Sequence, residues 1–260
     1  MHLDQIIAHK RAQWAVTTTA DPGERRHPVR PGRFAAAVSG PNVGIIAEVK
    51  PKSPSKGDLW PAAKAVPLAL SYEAGGAAAI SVLAEEQFFG GGAHLVRQVA
   101  DAVSIPVLFK DFIVDPRQVE LAHACGADAV LVIVRAVDDA RLADIHATAE
   151  SLGLDALVET FTEAEVERAL AVGARLVGVN NRDLDTFTVD LDNSARLRRL
   201  IPAGVPTVSE SGLRDRADIE RVAAIGFTGC LIGETLLTSG DQVAAVRELT
   251  GVATNQEVAA

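Results

Sequence analysis

A chain of 260 residues with 48% hydrophobic side chains can bury one sizeable core, and its length fits two small domains or one β/α barrel. The formal charge of -9, from 25 basic and 34 acidic residues, leaves no basic face for nucleic acid, although a few converging cations would hold an anionic small molecule. Aromatics at 4% among abundant Ala, Val, Leu and Ile exclude collagenous, coiled-coil and disordered classes and suit strands covered on both faces.

The N-terminus carries His2, Asp4, His9, Lys10 and Arg11 where a secretory leader needs an apolar run. No stretch approaches the ~18 apolar residues of a membrane span. A soluble, cytoplasmic protein that does not contact a membrane is expected. Cys125 and Cys230 lie far apart and read as two reduced core thiols, not as a metal site or a disulfide.

In chain order, the pattern predicts a helix over 3–16, a polar turn at Asp21-Pro22-Gly23, a short helix over 33–38, and punctuation at Gly40-Pro41-Asn42. Eight short apolar runs follow, at 43–49, 77–83, 106–109, 127–133, 156–158, 175–179, 205–208 and 228–232. Most gaps hold a helix-period segment, as at 117–125, 140–152, 163–172 and 215–225. These four segments end at Gly126, Gly153, Gly173 and Gly226, residues suited to the left-handed conformation of a helix terminus. Near-continuous apolar runs indicate strands buried on both faces. Eight of them alternating with helices predict an α/β fold, a single (β/α)8 TIM barrel with an N-terminal helical extension. A doubly wound sheet would carry a Gly-rich nucleotide loop after its first strand, and none is present. The expected organisation is an extension over 1–42 packing on the barrel, the barrel over 43–250, and a frayed tail over 251–260.

Active sites of such barrels lie at the C-terminal ends of the strands. The first run ends Glu48-Val49-Lys50, the third Lys110-Asp111, the fifth at Glu159, the sixth at Asn180-Asn181, the seventh at Glu210-Ser211-Gly212 and the eighth at Gly233-Glu234. Lysines and glutamates at the same ends of different strands point to one shared mouth. A phosphate group has two candidate cradles there. One is Ser53-Pro54-Ser55-Lys56-Gly57, and the other combines Ser211-Gly212 with Gly233-Glu234, where glycine lets backbone amides approach closely.

These residues resemble the motifs of the indole-3-glycerol phosphate synthase family. The likeness runs through Glu48-Val49-Lys50 and Ser53-Pro54-Ser55-Lys56-Gly57, Phe88-Phe89-Gly90, Lys110-Asp111-Phe112-Ile113, Leu157-Val158-Glu159, Gly178-Val179-Asn180-Asn181-Arg182, Ser209-Glu210-Ser211-Gly212 and Leu231-Ile232-Gly233-Glu234, in order and in register. It departs at Ala84, at Thr160-Phe161, over 15–32 and at Trp60-Pro61-Ala62-Ala63.

The resemblance implies ring closure, decarboxylation and dehydration of 1-(2-carboxyphenylamino)-1-deoxyribulose 5-phosphate, a sugar-phosphate substrate, with no cofactor and no metal. It implies Lys110 as the acid of ring closure, Lys50 as the partner of the anthranilate carboxylate or an acid of dehydration, and Glu48 and Glu159 as the carboxylates of dehydration. Asn180, Glu210 and Ser211 would orient the substrate, with Arg182 reaching its carboxylate. Phe89, Phe112, Leu131 and Leu184 would wall the aromatic ring, while Ser53, Gly212, Gly233 and Glu234 would serve the phosphate end. Burial among apolar walls is expected to lower the Lys110 pKa toward neutrality. A monomer or weak homodimer is expected. Competing readings are a paralogue acting on a modified anthranilate, another phosphate-binding barrel isomerase or lyase, a Schiff-base aldolase built on Lys110, and a barrel that only binds.

Overall fold

The computed structural model describes residues 3–17, 25, 27–183 and 186–255. Each of the eight apolar runs overlaps one strand: β1 (Gly44–Val49), β2 (Ala79–Leu83), β3 (Val107–Lys110), β4 (Ala129–Ile133), β5 (Asp155–Thr160), β6 (Val177–Asn180), β7 (Thr207–Glu210) and β8 (Gly229–Ile232). All neighbours are parallel, and β1 pairs with both β2 and β8, so the sheet closes into a barrel. Strands β3, β6 and β7 continue past their last apolar residue, because the backbone ladder still finds partners there. Glu210, for example, is in register with Asn180 on one side and Leu231 on the other. The polar ends of these runs therefore belong to the rigid sheet.

The outer layer, which includes α3 (Ala65–Gly75), α4 (Ala93–Ala102), α8 (Asp192–Arg198) and α10 (Glu234–Leu237), follows local chemistry. Asp115, Asp138, Thr162, Asp215 and Asp241 cap α5 (Pro116–Ala124), α6 (Asp139–Ser151), α7 (Glu163–Ala171), α9 (Arg216–Ala224) and α11 (Gln242–Leu249), each side chain accepting a first-turn N–H. Gly126, Gly153, Gly173 and Gly226 follow α5, α6, α7 and α9 at positive φ, as their positions predicted. Cys125 and Cys230 are buried free thiols. Among the described residues no helix is long and apolar enough to cross a membrane.

The N-terminal extension serves both ends of the barrel. Helix α1 (Leu3–Val16) lies along the upper rim, where Lys10 Nζ meets Asp111 Oδ2 at 2.7 Å just past β3, and Arg11 donates to the Ala136 carbonyl past β4 at 3.1 Å. Helix α2 (Arg33–Ala37) instead stops the lower end, with Phe34 and Val38 buried. The N–H groups of Phe34 and Ala35 both donate to Asp155 Oδ2 at 2.9 Å, at the start of β5. Arg33 reaches both oxygens of Asp128 at 3.0 Å, just before β4. The turn expected at 21–23 lies outside the described residues.

The frayed tail expected from Gly251 is corrected over its first half. Val43 N–H donates to the Val252 carbonyl at 2.8 Å, Asn42 bridges Ala253, and Thr254 N–H donates to Pro41 at 2.9 Å. Edge backbone next to β1 offered free partners, and a small, polar sequence took them. Residues 256–260 lie outside the described part.

Asp155 holds the lower plug through two donors that nothing else satisfies in the same way. Asp155→Ala is expected to cost about 1–3 kcal/mol, the penalty of stranding such groups. Urea unfolding of both proteins measures it, and an unchanged midpoint would show that α2 does not need this anchor.

Candidate active site

Alternation along β1 turns Glu48 into the barrel mouth, where a cavity of about 620 Å³ opens. Its walls bring together Glu48, Lys50, Lys110, Glu159, Asn180 and Ser211 from five strand ends. Ser53, Phe89, Phe112, Leu131, Arg182, Gly212, Gly233 and Glu234 also line it. Two residues expected in the site differ. Glu210 does not line the cavity but lies beneath it, 1% exposed. Leu184 falls outside the described residues.

The centre is an array of charges that only the closed barrel assembles. Glu48 Oε1 accepts Lys50 Nζ at 2.5 Å, while Glu48 Oε2 lies 2.9 Å from Lys110 Nζ. Lys110 Nζ also sits 3.7 Å from Glu210 Oε2. Burial alone would raise the Glu48 carboxyl, but Lys110 and Lys50 outweigh it and hold it at about 2. Lys110 corrects the sequence-based expectation. Burial does push its ammonium toward neutrality, yet Glu48, Glu210 and Glu159 together outweigh burial and hold its pKa above the ordinary lysine value. The walls around this lysine are carboxylates, which the strand-by-strand reading treated separately.

The remaining two acids behave oppositely to Glu48. Burial raises Glu159, against the pull of Lys110 and a hydrogen bond with Asn180. Burial and the neighbouring Glu159 push Glu210 up to about 8, with Lys110 opposing. Neither Glu210 oxygen meets a fixed donor, and its carboxyl partner is Glu159, so a hydrogen bond between them requires a proton on one of the two. Three carboxylates against two lysines leave one buried negative charge in excess, and desolvation favours keeping a proton on the Glu159–Glu210 pair.

Room for these side chains comes from two glycines. A Cβ on Gly178 would stand 2.4 Å from Glu210 Oε1, and one on Gly233 would stand 2.5 Å from Glu48 Oε1. Sequence reasoning placed Gly233 at a phosphate site and gave Gly178 no role. A glycine inside an otherwise apolar strand is the signal that marks such close approach.

The loops are tied down by polar contacts. Asn181 Nδ2 donates to Ser209 Oγ at 3.0 Å and to the Ser211 carbonyl at 3.1 Å, and Ser211 adopts φ of 67°, a strained value for a non-glycine residue. A Cβ on Gly212 would come within 2.4 Å of Val189, so the loop after β6 packs on it directly. Lys56 pairs with Glu234, drawing the Ser53-Pro54-Ser55-Lys56-Gly57 loop toward the end of β8. Phe89 and Phe112 face each other with centroids 5.8 Å apart. Glu85 was not singled out in the sequence, yet it is 1% exposed and accepts the N–H groups of Phe88 and Phe89 at 2.6 and 3.0 Å, which fixes the aromatic wall.

Comparison with known proteins identifies the family. A family model described as indole-3-glycerol phosphate synthase matches residues 3–249. The protein of that name from Desulfotalea psychrophila is 42% identical, over 95% of this chain and 97% of its own length. Its namesake from Nocardioides is 47% identical over 96% and 98%. Among solved structures, 3-hexulose-6-phosphate synthase from Salmonella typhimurium aligns with a TM-score of 0.63 at 14% identity, covering 80% of this chain and 96% of that one. Thiamine phosphate pyrophosphorylase from Pyrococcus furiosus gives 0.58 at 18%, covering 79% and 93%. Likeness at that level shows the barrel alone.

The proton held by Glu210 has a measurable signature. Its pKa in the folded protein is raised, so the associated stability is full below the unfolded carboxyl value and is lost as pH rises through about 8. Glu210→Gln keeps the neutral form at every pH. The difference in unfolding free energy between the two proteins is expected to move in favour of the variant across that window and to stay flat below it. A difference independent of pH would put the proton elsewhere.

Proposed function

Because the chain belongs to the indole-3-glycerol phosphate synthase family, we propose the following division of labour for the reaction of a carboxy-lyase of tryptophan biosynthesis. The substrate is 1-(2-carboxyphenylamino)-1-deoxyribulose 5-phosphate, and the products are indole-3-glycerol phosphate, CO2 and water. The observation that carries the reading is the pair of lysines fixed on the two oxygens of Glu48 in a mouth walled by both charged and apolar side chains.

Ring closure needs a proton for the ketone oxygen as the aromatic carbon attacks the carbonyl carbon. Lys110 is held charged chiefly by Glu48, so it carries that proton at neutral pH. Its position on β3, within the rigid sheet, fixes the direction of delivery. A Schiff-base aldolase would need the same amine neutral, and the carboxylates around it oppose that state.

Lys50, at the brim, exchanges Glu48 for the anthranilate carboxylate, with Arg182 on the opposite wall. Closure leaves a cationic ring that accepts the electrons released with CO2, so this step needs no cofactor. Dehydration then requires a base for the ring proton and an acid for the departing hydroxyl. With the shared proton on Glu210, Glu159 is free to act as that base, and its raised pKa makes it a stronger one. Lys50 or the Glu48 array supplies the proton to the hydroxyl. Phe89, Phe112 and Leu131 hold the aromatic ring. Asn180 and Ser211 orient the sugar, and Glu210 holds the array from below. The Ser53 loop and the backbone at Gly212 and Gly233 receive the phosphate, with Glu234 releasing Lys56 toward it.

The exposed large apolar residues Val16, Leu70, Val189 and Leu200 lie on separate elements, which supports a monomer or weak homodimer. The two buried, unpaired thiols support a cytoplasmic setting.

Quenched-flow measurement of labelled CO2 beside indole fluorescence separates the steps. Lys110→Ala is expected to lose both signals together, by the ~10²–10⁴-fold typical of a missing general acid. CO2 release at the wild-type rate would remove Lys110 from closure. Glu159→Gln is expected to slow indole formation more than CO2 release, so that a decarboxylated alcohol accumulates in a single turnover. Equal slowing of the two signals would place Glu159 earlier in the sequence.

A further inference from the structure

The strongest feature outside the mouth's own array is a buried ion pair 101 residues apart in sequence, between Lys10 of α1 and Asp111. Both side chains are 4% exposed. Asp111 follows Lys110 and precedes Phe112, and its carboxylate is the hub of the turn that leads from β3 to α5. Oδ1 accepts the Phe112 N–H at 2.8 Å. Oδ2 accepts Lys10 Nζ at 2.7 Å and Gln118 Nε2 at 3.3 Å. Gln118 completes the turn, accepting the N–H of Val114 at 2.8 Å and donating to the Phe112 carbonyl at 3.1 Å.

We propose that Lys10 is a positioning residue for the reaction: by pairing with Asp111 it holds the β3–α5 turn, and with it the end of β3 that carries Lys110 and the ring of Phe112. This rests on the reading of Lys110 and Phe112 given above. Lys10 is the one cation paired with Asp111 among the described residues. The groups facing Asp111 are Lys10 from α1, Gln118 from α5 and Glu85 from the loop after β2, the last being a like charge. Burial raises the Asp111 carboxyl, and Lys10 is the largest influence opposing burial. Without Lys10, an ionised Asp111 keeps only the Phe112 N–H and the Gln118 amide as donors while it faces the like charge of Glu85, and the turn that follows Lys110 loses its anchor.

A lost contact of simple packing would lower stability and leave the chemistry alone, so the test reads chemistry. Single-turnover CO2 release is compared for wild type, Lys10→Met, Lys10→Arg and the double variant Lys10→Met with Asp111→Asn, far below each melting temperature. Lys10→Met is expected to lose roughly ten- to a hundredfold in rate, the scale of a misplaced reacting group. The loss should deepen as pH rises, because Asp111 then ionises without a partner, whereas wild type shows no such limb. Lys10→Arg should keep most of the rate. The double variant should regain rate and lose the new pH limb, a coupling that independent sites would not show. The proposal is overturned if Lys10→Met melts lower yet releases CO2 at the wild-type rate, or if the double variant is no faster than the single one. Should Lys10→Met fail to fold, Lys10→Gln is read by the same outcomes. If wild type itself shows no turnover, the assigned reaction fails, which is a different result from wild type and Lys10→Met turning over equally.

Discussion

Glu48 accepts Lys50 on one carboxylate oxygen and lies against Lys110 with the other, and that shared carboxylate ties both lysines of the mouth into one array. Both lysines are satisfied by one acid, so Glu159 and Glu210 are left with little positive charge of their own. Two neighbouring carboxylates in a desolvated site do not both ionise readily, because each raises the cost of charging the other. The array therefore holds a fixed cation, a fixed anion and a retained proton within one cluster. Acid and base roles at neutral pH need groups whose environments pull them apart in this way.

Such an array is stable only where backbone makes space for it. Gly178 and Gly233 each leave the volume that a carboxylate oxygen occupies, Gly178 for Glu210 and Gly233 for Glu48. The barrel supplies the rigidity, since Lys110, Asn180 and Glu210 all belong to strands that pair on both sides. Acidic anchors then fix the extension at the two ends. Asp128 and Asp155 hold α2 against the lower end, and Asp111 takes Lys10 of α1 at the upper one. The same chain segment thus plugs the closed end and braces the reactive end.

Much of this was legible one strand at a time. Buried parallel strands leave continuous apolar runs, so β1 to β8 were all readable, and α1 was placed over the very residues it occupies because its apolar positions recur at helical spacing. Strand ends were readable as site positions because the barrel rule is topological. What could not be read were quantities set by pairs of distant residues. The raised Lys110 pKa depends on β1, β5 and β7 meeting β3, and single-site reasoning sees only that Lys110 is surrounded by apolar residues in sequence. Glu210 sits below the cavity and not on its wall, since its depth is fixed by Gly178 on the neighbouring strand. Glu85 escaped notice, and Asp111 and Lys10 were given no role in the site, because their partners are backbone N–H groups or a helix far away in the chain. The tail at 252–254 is held by the edge beside β1, which local composition does not reveal.

The distribution of likeness among other proteins follows the same division. Barrels with 14–18% identity reproduce the strands and helices, because aliphatic burial on both faces of a parallel sheet admits many sequences. Relatives at 42–47% identity span nearly the whole chain and bear a single name. A fold tolerant of that much substitution cannot by itself choose a reaction. The choice lies with a few side chains whose charges must balance against one another in the barrel mouth. Replacing one changes the protonation of the rest, so the array is constrained as a unit and not residue by residue. Glu48 illustrates the point: removing it would free two lysines and leave Glu159 and Glu210 to take them up, turning the base of one step into the counterion of another.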